Sequence, residues 1–203
     1  MNELRDFIGL MVVNSEVRFT GVTLDSRAVI SGDLFIALPG AKAHGAEYAN
    51  EVINRGAVAI LTDQVGAGYF KELLPVLVVD RPRQWVGAIA SWFYRNPFTS
   101  LDAIGITGTN GKTTTASLVD QIWRLDGRSS GFIGTIGIAI DGEEHATSFT
   151  TPEGTDLQAI LATMRERHLR NLVMEVSSHA LSLQRLKGSH FKRSEERRVG
   201  KEC

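Results

Sequence analysis

The sequence predicts an α/β protein in two parts: a small N-terminal α/β domain over residues 1–98, then a mostly parallel-sheet domain with a phosphate-binding loop over residues 99–192. Three observations carry this. Short apolar segments alternate with stretches of helical periodicity, the pattern of a parallel sheet with crossover helices. Asn96-Pro97 interrupts that pattern near the middle, which places the boundary near residues 96–101. The strand after the break runs into the glycine-rich Gly108-Thr109-Asn110-Gly111 and a helix starting at Lys112. Strand, loop, helix is the context in which a phosphate-binding loop occurs.

In the first part, Leu4, Phe7, Ile8 and Met11 mark a short amphipathic stretch. Val22-Thr23-Leu24-Asp25-Ser26-Arg27 follows, and Leu34 to Leu38 reads as a buried strand stopped by Pro39-Gly40. His44 to Arg55 carries a helical pattern with Tyr48, Val52 and Ile53 on one face. Ala57 to Leu61 and Val76 to Val79 are short apolar strands, with a weaker helix expected at Tyr69 to Leu74. Pro82 opens a helix through Trp85, Ile89, Trp92 and Phe93, since proline suits a first turn whose N–H has no partner.

In the second part, Leu101 to Thr107 is a strand and Lys112 to Leu125 a helix with Leu118, Ile122 and Trp123 expected inward. Gly131 to Ile140 is an extended apolar run that turns at Asp141-Gly142. Thr155 to Arg167 is a helix, and Leu172 to Glu175 is a strand running into Ser177-Ser178-His179. Ser178 is expected to cap a following helix.

Composition narrows the function classes. The chain has 203 residues, 43% hydrophobic and 22% charged, the proportions of an ordinary globular protein. With 22 basic against 23 acidic residues, no global positive field would recruit nucleic acid. Mean hydropathy is -0.04, and no run approaches the roughly 18 apolar residues of a membrane helix. The single cysteine, Cys203, excludes a disulfide framework and a cysteine-rich metal site. The start of the chain is too acidic, and its apolar stretch too short, for a secretory signal. A cytoplasmic protein without membrane insertion is expected.

The loop Gly105-Ile106-Thr107-Gly108-Thr109-Asn110-Gly111-Lys112-Thr113-Thr114 carries the strongest chemical signal. Gly108 and Gly111 let the backbone curl until successive N–H groups point at one anion. The helix N-terminus adds its positive dipole end. Lys112 supplies a mobile charge for the β- and γ-phosphates, and Thr113 a hydroxyl for Mg²⁺. The pattern G-x-x-x-x-G-K-[ST] is missed at one position, where Ile106 replaces the first glycine. A bare glycine turn is the alternative, and such a turn has no need of Lys-Thr.

Leu172-Val173-Met174-Glu175 is an apolar strand ending in a carboxylate, the arrangement that holds Mg²⁺ in phosphate-loop enzymes. A solvated strand-end acid is the plainer alternative. Thr150 and Thr151 place two hydroxyls ahead of Pro152, which restrains Thr151 to extended backbone. Ser177 follows a buried strand at its carboxyl end, where open α/β sheets bind ligands. Arg185 is suited to a carboxylate. Each hydroxyl taken singly serves a turn or cap as readily as a substrate. His179 is either a supporting group or a substrate contact, and His44, His145, His168 and His190 have no metal-site spacing.

These residues together resemble a family. Gly108-Thr109-Asn110-Gly111-Lys112-Thr113-Thr114 is similar to the ATP-binding signature of the Mur ligases, which build the peptide stem of bacterial peptidoglycan, and of folylpolyglutamate synthases. Leu24-Asp25-Ser26-Arg27 with Gly32-Asp33-Leu34-Phe35 resembles the N-terminal domain of the Mur ligases that add the third and later stem residues. Thr150-Thr151-Pro152-Glu153 and Glu175-Val176-Ser177-Ser178-His179-Ala180-Leu181 resemble those that add the third. The resemblance runs from about residue 20 to 191. It implies a UDP-binding N-terminal domain, with Leu24, Ser26 and Ala41-Lys42-Ala43 at the uridine diphosphate end of the substrate. It implies ATP on Gly108 to Thr114, Mg²⁺ held by Thr113 and Glu175, and Lys112 and Glu175 as the catalytic pair. Thr150, Thr151, Ser177 and Arg185 would bind the muramoyl–dipeptide portion. The implied reaction is ATP-dependent amide formation, through an acyl phosphate, between UDP-N-acetylmuramoyl-L-alanyl-D-glutamate and diaminopimelate or lysine. The whole enzyme is expected to be a monomer. The alternatives are another ligase of the superfamily, adding D-alanyl-D-alanine or glutamate to folate, or a nucleotide-binding module without catalysis.

The resemblance stops at Lys192. Residues 193–203, RSEERRVGKEC, read either as a translated sequencing adapter or as a natural charged tail. The first reading makes them a non-native tail. The resemblance implies a truncated phosphate-loop domain with an unpaired sheet edge and no ligase activity in this chain. The family continues from here with further strands, a lysine that helps organise the metals and a C-terminal domain that binds the amino acid. Without the tail, 18 basic and 20 acidic residues and no cysteine remain.

Overall fold

The computed structural model describes residues 18–70, 73–147, 149–191 and 193–197. The amphipathic stretch at Leu4 to Met11 and Cys203 lie outside them. The chain divides between Ile89 and Ala90 into two compact units.

The first unit holds β1 (Gly21–Thr23), β2 (Asp33–Ile36), β3 (Ala59–Thr62) and β4 (Val76–Val78) in a parallel sheet of order β1-β2-β3-β4. Register runs Val22↔Leu34, Leu34↔Ala59 and Ile60↔Val76. β2 and β3 are buried at every position, as apolar strands covered on both faces must be. Phe35 and Ile60 pack with Val52 and Ala49 of α1 (Ala49–Asn54) and with Phe70. The helical stretch after His44 begins as a 3-10 turn over Gly45–Tyr48. His44 caps it: Nδ1 accepts from the Ala46 N–H at 3.0 Å while the Glu47 carboxylate accepts from the His44 N–H at 2.9 Å.

The helix expected at Tyr69 to Leu74 starts earlier, as α2 (Gln64–Ala67) followed by a 3-10 turn over Gly68–Phe70. The cause is Asp63, whose carboxylate accepts from the Gly66 N–H at 2.8 Å and sets the first turn there. Pro82 opens a 3-10 turn, and α3 (Val86–Phe93) continues it.

The second unit is a six-stranded sheet of order β10-β5-β9-β6-β7-β8. β5 (Asp102–Gly108), β9 (Asn171–Glu175), β6 (Ser130–Gly134) and β10 (Arg193–Arg197) are parallel. β7 (Gly137–Ile140) and β8 (Glu143–His145) extend the sheet antiparallel. α4 (Lys112–Leu125) and α5 (Gly154–Glu166) flank it. The pleat sorts side chains by parity. Leu172, Met174 and Val176 pack with Leu157, Leu161 and Met164 of α5. Val173 packs with Ile106, Phe132 and Ala116 of α4.

Three expectations change here. The apolar run from Gly131 to Ile140 is a hairpin turning at Thr135-Ile136 before the second turn at Asp141-Gly142, where φ is +52° and +85°. Leu118 and Ile122 are 52% and 62% exposed, and the sheet-facing residues of α4 are Ala116, Val119, Asp120 and Trp123. At about 100° per residue, a helix whose Thr113 meets the end of β9 turns Ala116 and Asp120 with it. Leu118 and Ile122 then fall on the far side. Finally, Arg193–Arg197 of the segment read as a tail run beside β5 as β10, so among the described residues the edge of the sheet on that side is β10 rather than β5. Ladder hydrogen bonds use backbone groups, which the charged sequence there retains.

Candidate nucleotide- and substrate-binding site

β5 delivers the chain to the loop, and Ile106 is 2% exposed because it is still a strand residue packed on Ala116 and Phe132. That explains the missing first glycine. The curl begins at Gly108 (φ +141°) and ends at Gly111 (φ +80°), backbone angles that favour glycine. Gly111 is the N-cap of α4 and offers no side-chain acceptor, so the first-turn N–H groups have no side-chain cap. Thr109 and Asn110 are exposed at the loop tip. Lys112 folds back, its Nζ donating to the Gly108 carbonyl at 2.8 Å. Its charge therefore sits at the mouth of the loop.

Glu175 ends β9 with its carboxylate on the α4 side, and it is fully buried. Three donors converge on it. The Thr113 hydroxyl reaches Oε2 at 3.0 Å, the Thr135 N–H reaches Oε1 at 2.8 Å, and the Thr135 hydroxyl reaches Oε2 at 3.2 Å. The residue opposite is Gly134, where an added Cβ would lie 2.3 Å from Glu175 Oε1. The glycine leaves the room the carboxylate occupies. Thr135 came with no motif; the Thr-Ile pair in a two-residue turn, where Gly, Asn or Asp is usual, was its one trace in the sequence.

The expected substrate residues of this unit form a second cluster beside the first. Thr150 Oγ1 lies 3.0 Å from Thr135 Oγ1. The buried Thr151 hydroxyl donates to the Glu175 carbonyl at 2.9 Å and accepts from the Ser177 N–H at 3.1 Å. Ser177, rather than Ser178, caps α6 (Ser178–Ser182), its hydroxyl accepting from the Ala180 N–H at 3.1 Å. Ser178 lies one position too late, since a cap needs extended backbone and the residue in that state is Ser177 (ψ 146°). Arg185 is 7% exposed and braces the turn, donating to the Thr151 carbonyl at 3.0 Å and pairing with Glu153 at 2.9 Å. Its guanidinium lies 4.8 Å from the centre of the Phe149 ring. The Arg185 Nε is buried without a partner. His179 is exposed at the start of α6.

The remaining expected residues are in the first unit. Leu24 is half-buried after β1, and the Ser26 hydroxyl donates to Glu51 at 3.4 Å. Asp25 caps the turn after it, and the Arg27 guanidinium and N–H hold the Asp25 carboxyl below its ordinary range. Ala41, Lys42 and Ala43 form a loop closed by the Pro39–His44 bridge, with Ala41 and Lys42 exposed. His44 Nε2 meets Asp63 at 3.1 Å and anchors the end of that loop.

Glu175 and Thr113 are two hard oxygen donors in contact, suited to a magnesium ion that completes its shell with phosphate and water. Among the described residues no group of three His, Cys, Asp or Glu converges on a point, so an all-protein metal cage is absent from them. No helix among the described residues is long and apolar enough to cross a membrane.

Loop, lysine and buried acid on the adjacent strand define the chain as an α/β protein of the phosphate-binding-loop class. The Mur ligase middle domain matches residues 106–193, and the Mur ligase family catalytic domain matches residues 18–94. The chain belongs to the Mur ligase family. A UDP-N-acetylmuramoyl-L-alanyl-D-glutamate–2,6-diaminopimelate ligase of Streptomyces avermitilis is 49% identical over 190 residues, covering 93% of this chain and 37% of the relative. The ligase of the same description from Corynebacterium glutamicum is 46% identical over 180 residues, covering 87% and 35%. The chain thus spans little more than a third of the curated relatives it matches. A solved structure of a ligase of that description superposes with a TM-score of 0.79 at 23% identity, over 98% of this chain and 40% of that one. The MurF ligase from Thermotoga maritima, solved in complex with ADP, superposes with a TM-score of 0.60 at 18% identity, covering 93% and 40%. At these identities the two solved structures speak for the fold.

Proposed function

We propose that this chain carries the nucleotide site and the uridine-diphosphate domain of an ATP-dependent amide ligase joining 2,6-diaminopimelate to UDP-N-acetylmuramoyl-L-alanyl-D-glutamate. The observation that carries the reading is the contact of Thr113 with Glu175 beside Lys112 at the mouth of the glycine loop. The descriptions and identities of the relatives support the substrate pair. A cytoplasmic place of action and a monomeric whole enzyme belong to the same proposal.

A carboxylate is a poor electrophile towards an amine, so the γ-phosphate of ATP moves first to the free carboxylate of the muramoyl dipeptide. The amine then attacks the acyl phosphate, phosphate leaves, and ADP remains. Loop N–H groups from Gly108 to Thr114 hold the phosphate chain, and Lys112 neutralises charge on its outer groups. Thr113 and Glu175 would hold Mg²⁺, which supplies further charge neutralisation on the transferring phosphoryl group when bound. Thr150, Thr151, Ser177 and Arg185 position the dipeptide, Thr151 and Arg185 as its frame. Leu24, Ser26 and the Ala41-Lys42-Ala43 loop take the uridine diphosphate end. The protein's contribution is alignment and electrostatics, with no protein nucleophile in the path.

The test is nucleotide binding by the chain itself. Titration calorimetry is expected to detect ADP binding that strengthens with Mg²⁺, and Lys112→Ala is expected to weaken it by about tenfold or more. No binding by the unaltered chain, or equal binding by Lys112→Ala, overturns the reading.

A further inference from the structure

Thr135 directs both of its hydrogen-bond donors to Glu175. Its N–H and its hydroxyl approach different oxygens of that carboxylate, at 2.8 Å and 3.2 Å. The side chain is exposed at the hairpin between β6 and β7, whereas the carboxylate it grips is fully buried. Two β-branched residues, Thr135 and Ile136, form this tight turn, against the usual preference for Gly, Asn or Asp. Local preference gives way where a site demands it. Gly134 is part of the same arrangement, because a Cβ there would strike Glu175 Oε1.

The hydroxyl has one proton. Donated to Glu175, it leaves Thr135 Oγ1 as an acceptor, so Thr150 is the donor in the 3.0 Å contact between the two threonines. The polarity then runs in one direction, from Thr150 through Thr135 to Glu175. Thr150 Oγ1 then has its lone pairs left to accept from another N–H or O–H. Thr113 approaches the same Glu175 oxygen as the Thr135 hydroxyl does.

We propose that Thr135 is a positioning residue that holds the Glu175 carboxylate in its cation-binding orientation and ties it to Thr150 on the substrate side. The inference rests on the nucleotide-site reading above. Removing the hydroxyl leaves Oε2 with the Thr113 hydroxyl alone, a group that would itself turn to a bound cation. The carboxylate is then fixed only through Oε1, and a carboxylate that must be reoriented binds a cation less well.

The experiment measures ADP affinity of the 203-residue chain by calorimetry, with MgCl₂ and with EDTA, for the unaltered protein, Thr135→Val, Thr135→Ser, Glu175→Gln and the Thr135→Val/Glu175→Gln pair. Thr135→Val keeps the shape and the N–H. It is expected to lose about five- to tenfold of the Mg²⁺-dependent affinity and to leave the affinity in EDTA unchanged. Thr135→Ser is expected to restore the Mg²⁺ dependence. In the Glu175→Gln background the valine substitution is expected to have no further effect, since Thr135 acts through that carboxylate. Binding of Mn²⁺ with ADP, read by electron paramagnetic resonance, is expected to fall in parallel. Unchanged Mg²⁺ dependence in Thr135→Val, equal losses with and without the metal, or full additivity in the pair overturns the proposal. Absence of ADP binding in the unaltered chain instead overturns the nucleotide-site reading.

Discussion

Replacing Glu175 by glutamine and by alanine separates its structural share from its binding share. The carboxylate is fully buried and takes three hydrogen bonds, from the Thr135 N–H, the Thr135 hydroxyl and the Thr113 hydroxyl. In Glu175→Gln the amide oxygen keeps the Thr135 N–H. The NH₂ then faces two hydroxyls, each able to rotate and accept. Three neutral hydrogen bonds replace three charge-assisted ones, and the desolvation penalty of a buried charge disappears, so the two changes nearly cancel. Glu175→Gln is expected to lie within about 1 kcal/mol of the unaltered chain. Glu175→Ala strips all three donors of their partner and empties a packed site, at a cost of about 2–4 kcal/mol. Urea denaturation measures both. Calorimetric titration with ADP is expected to show the Mg²⁺-dependent gain reduced about tenfold or more in each variant. Equal destabilisation of the two variants would refute the hydrogen-bond reasoning, and a preserved Mg²⁺ effect in Glu175→Gln would refute the cation role.

Two further outcomes follow from the same geometry. Thr151→Val keeps the side-chain shape but orphans the Glu175 carbonyl and the Ser177 N–H, at an expected cost of about 2–3 kcal/mol in urea denaturation. Thr151→Ser should recover most of it, and a valine variant as stable as the unaltered chain would show the hydroxyl to be idle. The second concerns acid. Burial pushes the Asp63 carboxyl up, but hydrogen bonds from the Gly66 N–H and from His44 outweigh it and hold the group below its ordinary 3.8. A depressed carboxyl contributes stability above its unfolded-state value and loses it as pH falls through the folded one. Asp63→Ala is therefore expected to cost about 1 kcal/mol near neutrality, with the difference from the unaltered chain shrinking below pH 3.8. A difference that stays constant through that range would contradict the assignment.

What could be read from the sequence is what depends on neighbours in the chain. The loop from Gly108 to Thr114 is a local object, built by two glycines at positive φ and a helix start, and its residues announce it. Strand-ending Glu175 is legible for the same reason, through the apolar run before it. The orientation of α4 is not local. It follows from Thr113 meeting an acid 62 residues away, and that contact turns Ala116 and Asp120 inward and Leu118 and Ile122 outward. Apolar periodicity read without that anchor selects the wrong stripe. Thr135 is hidden for a related reason. Its partner lies 40 residues on, and the two meet because Ile133 pairs with Met174 in a parallel register that no short pattern encodes. A shift of β9 by one residue against both β6 and β5, where Glu175 pairs with Ile106, would turn Glu175 to the α5 side and leave the Thr113 hydroxyl facing an apolar side chain. The chemistry of the loop therefore depends on the pairing of β6 with β9 as much as on the loop's own residues, and Gly134 makes that pairing compatible with a carboxylate between the strands.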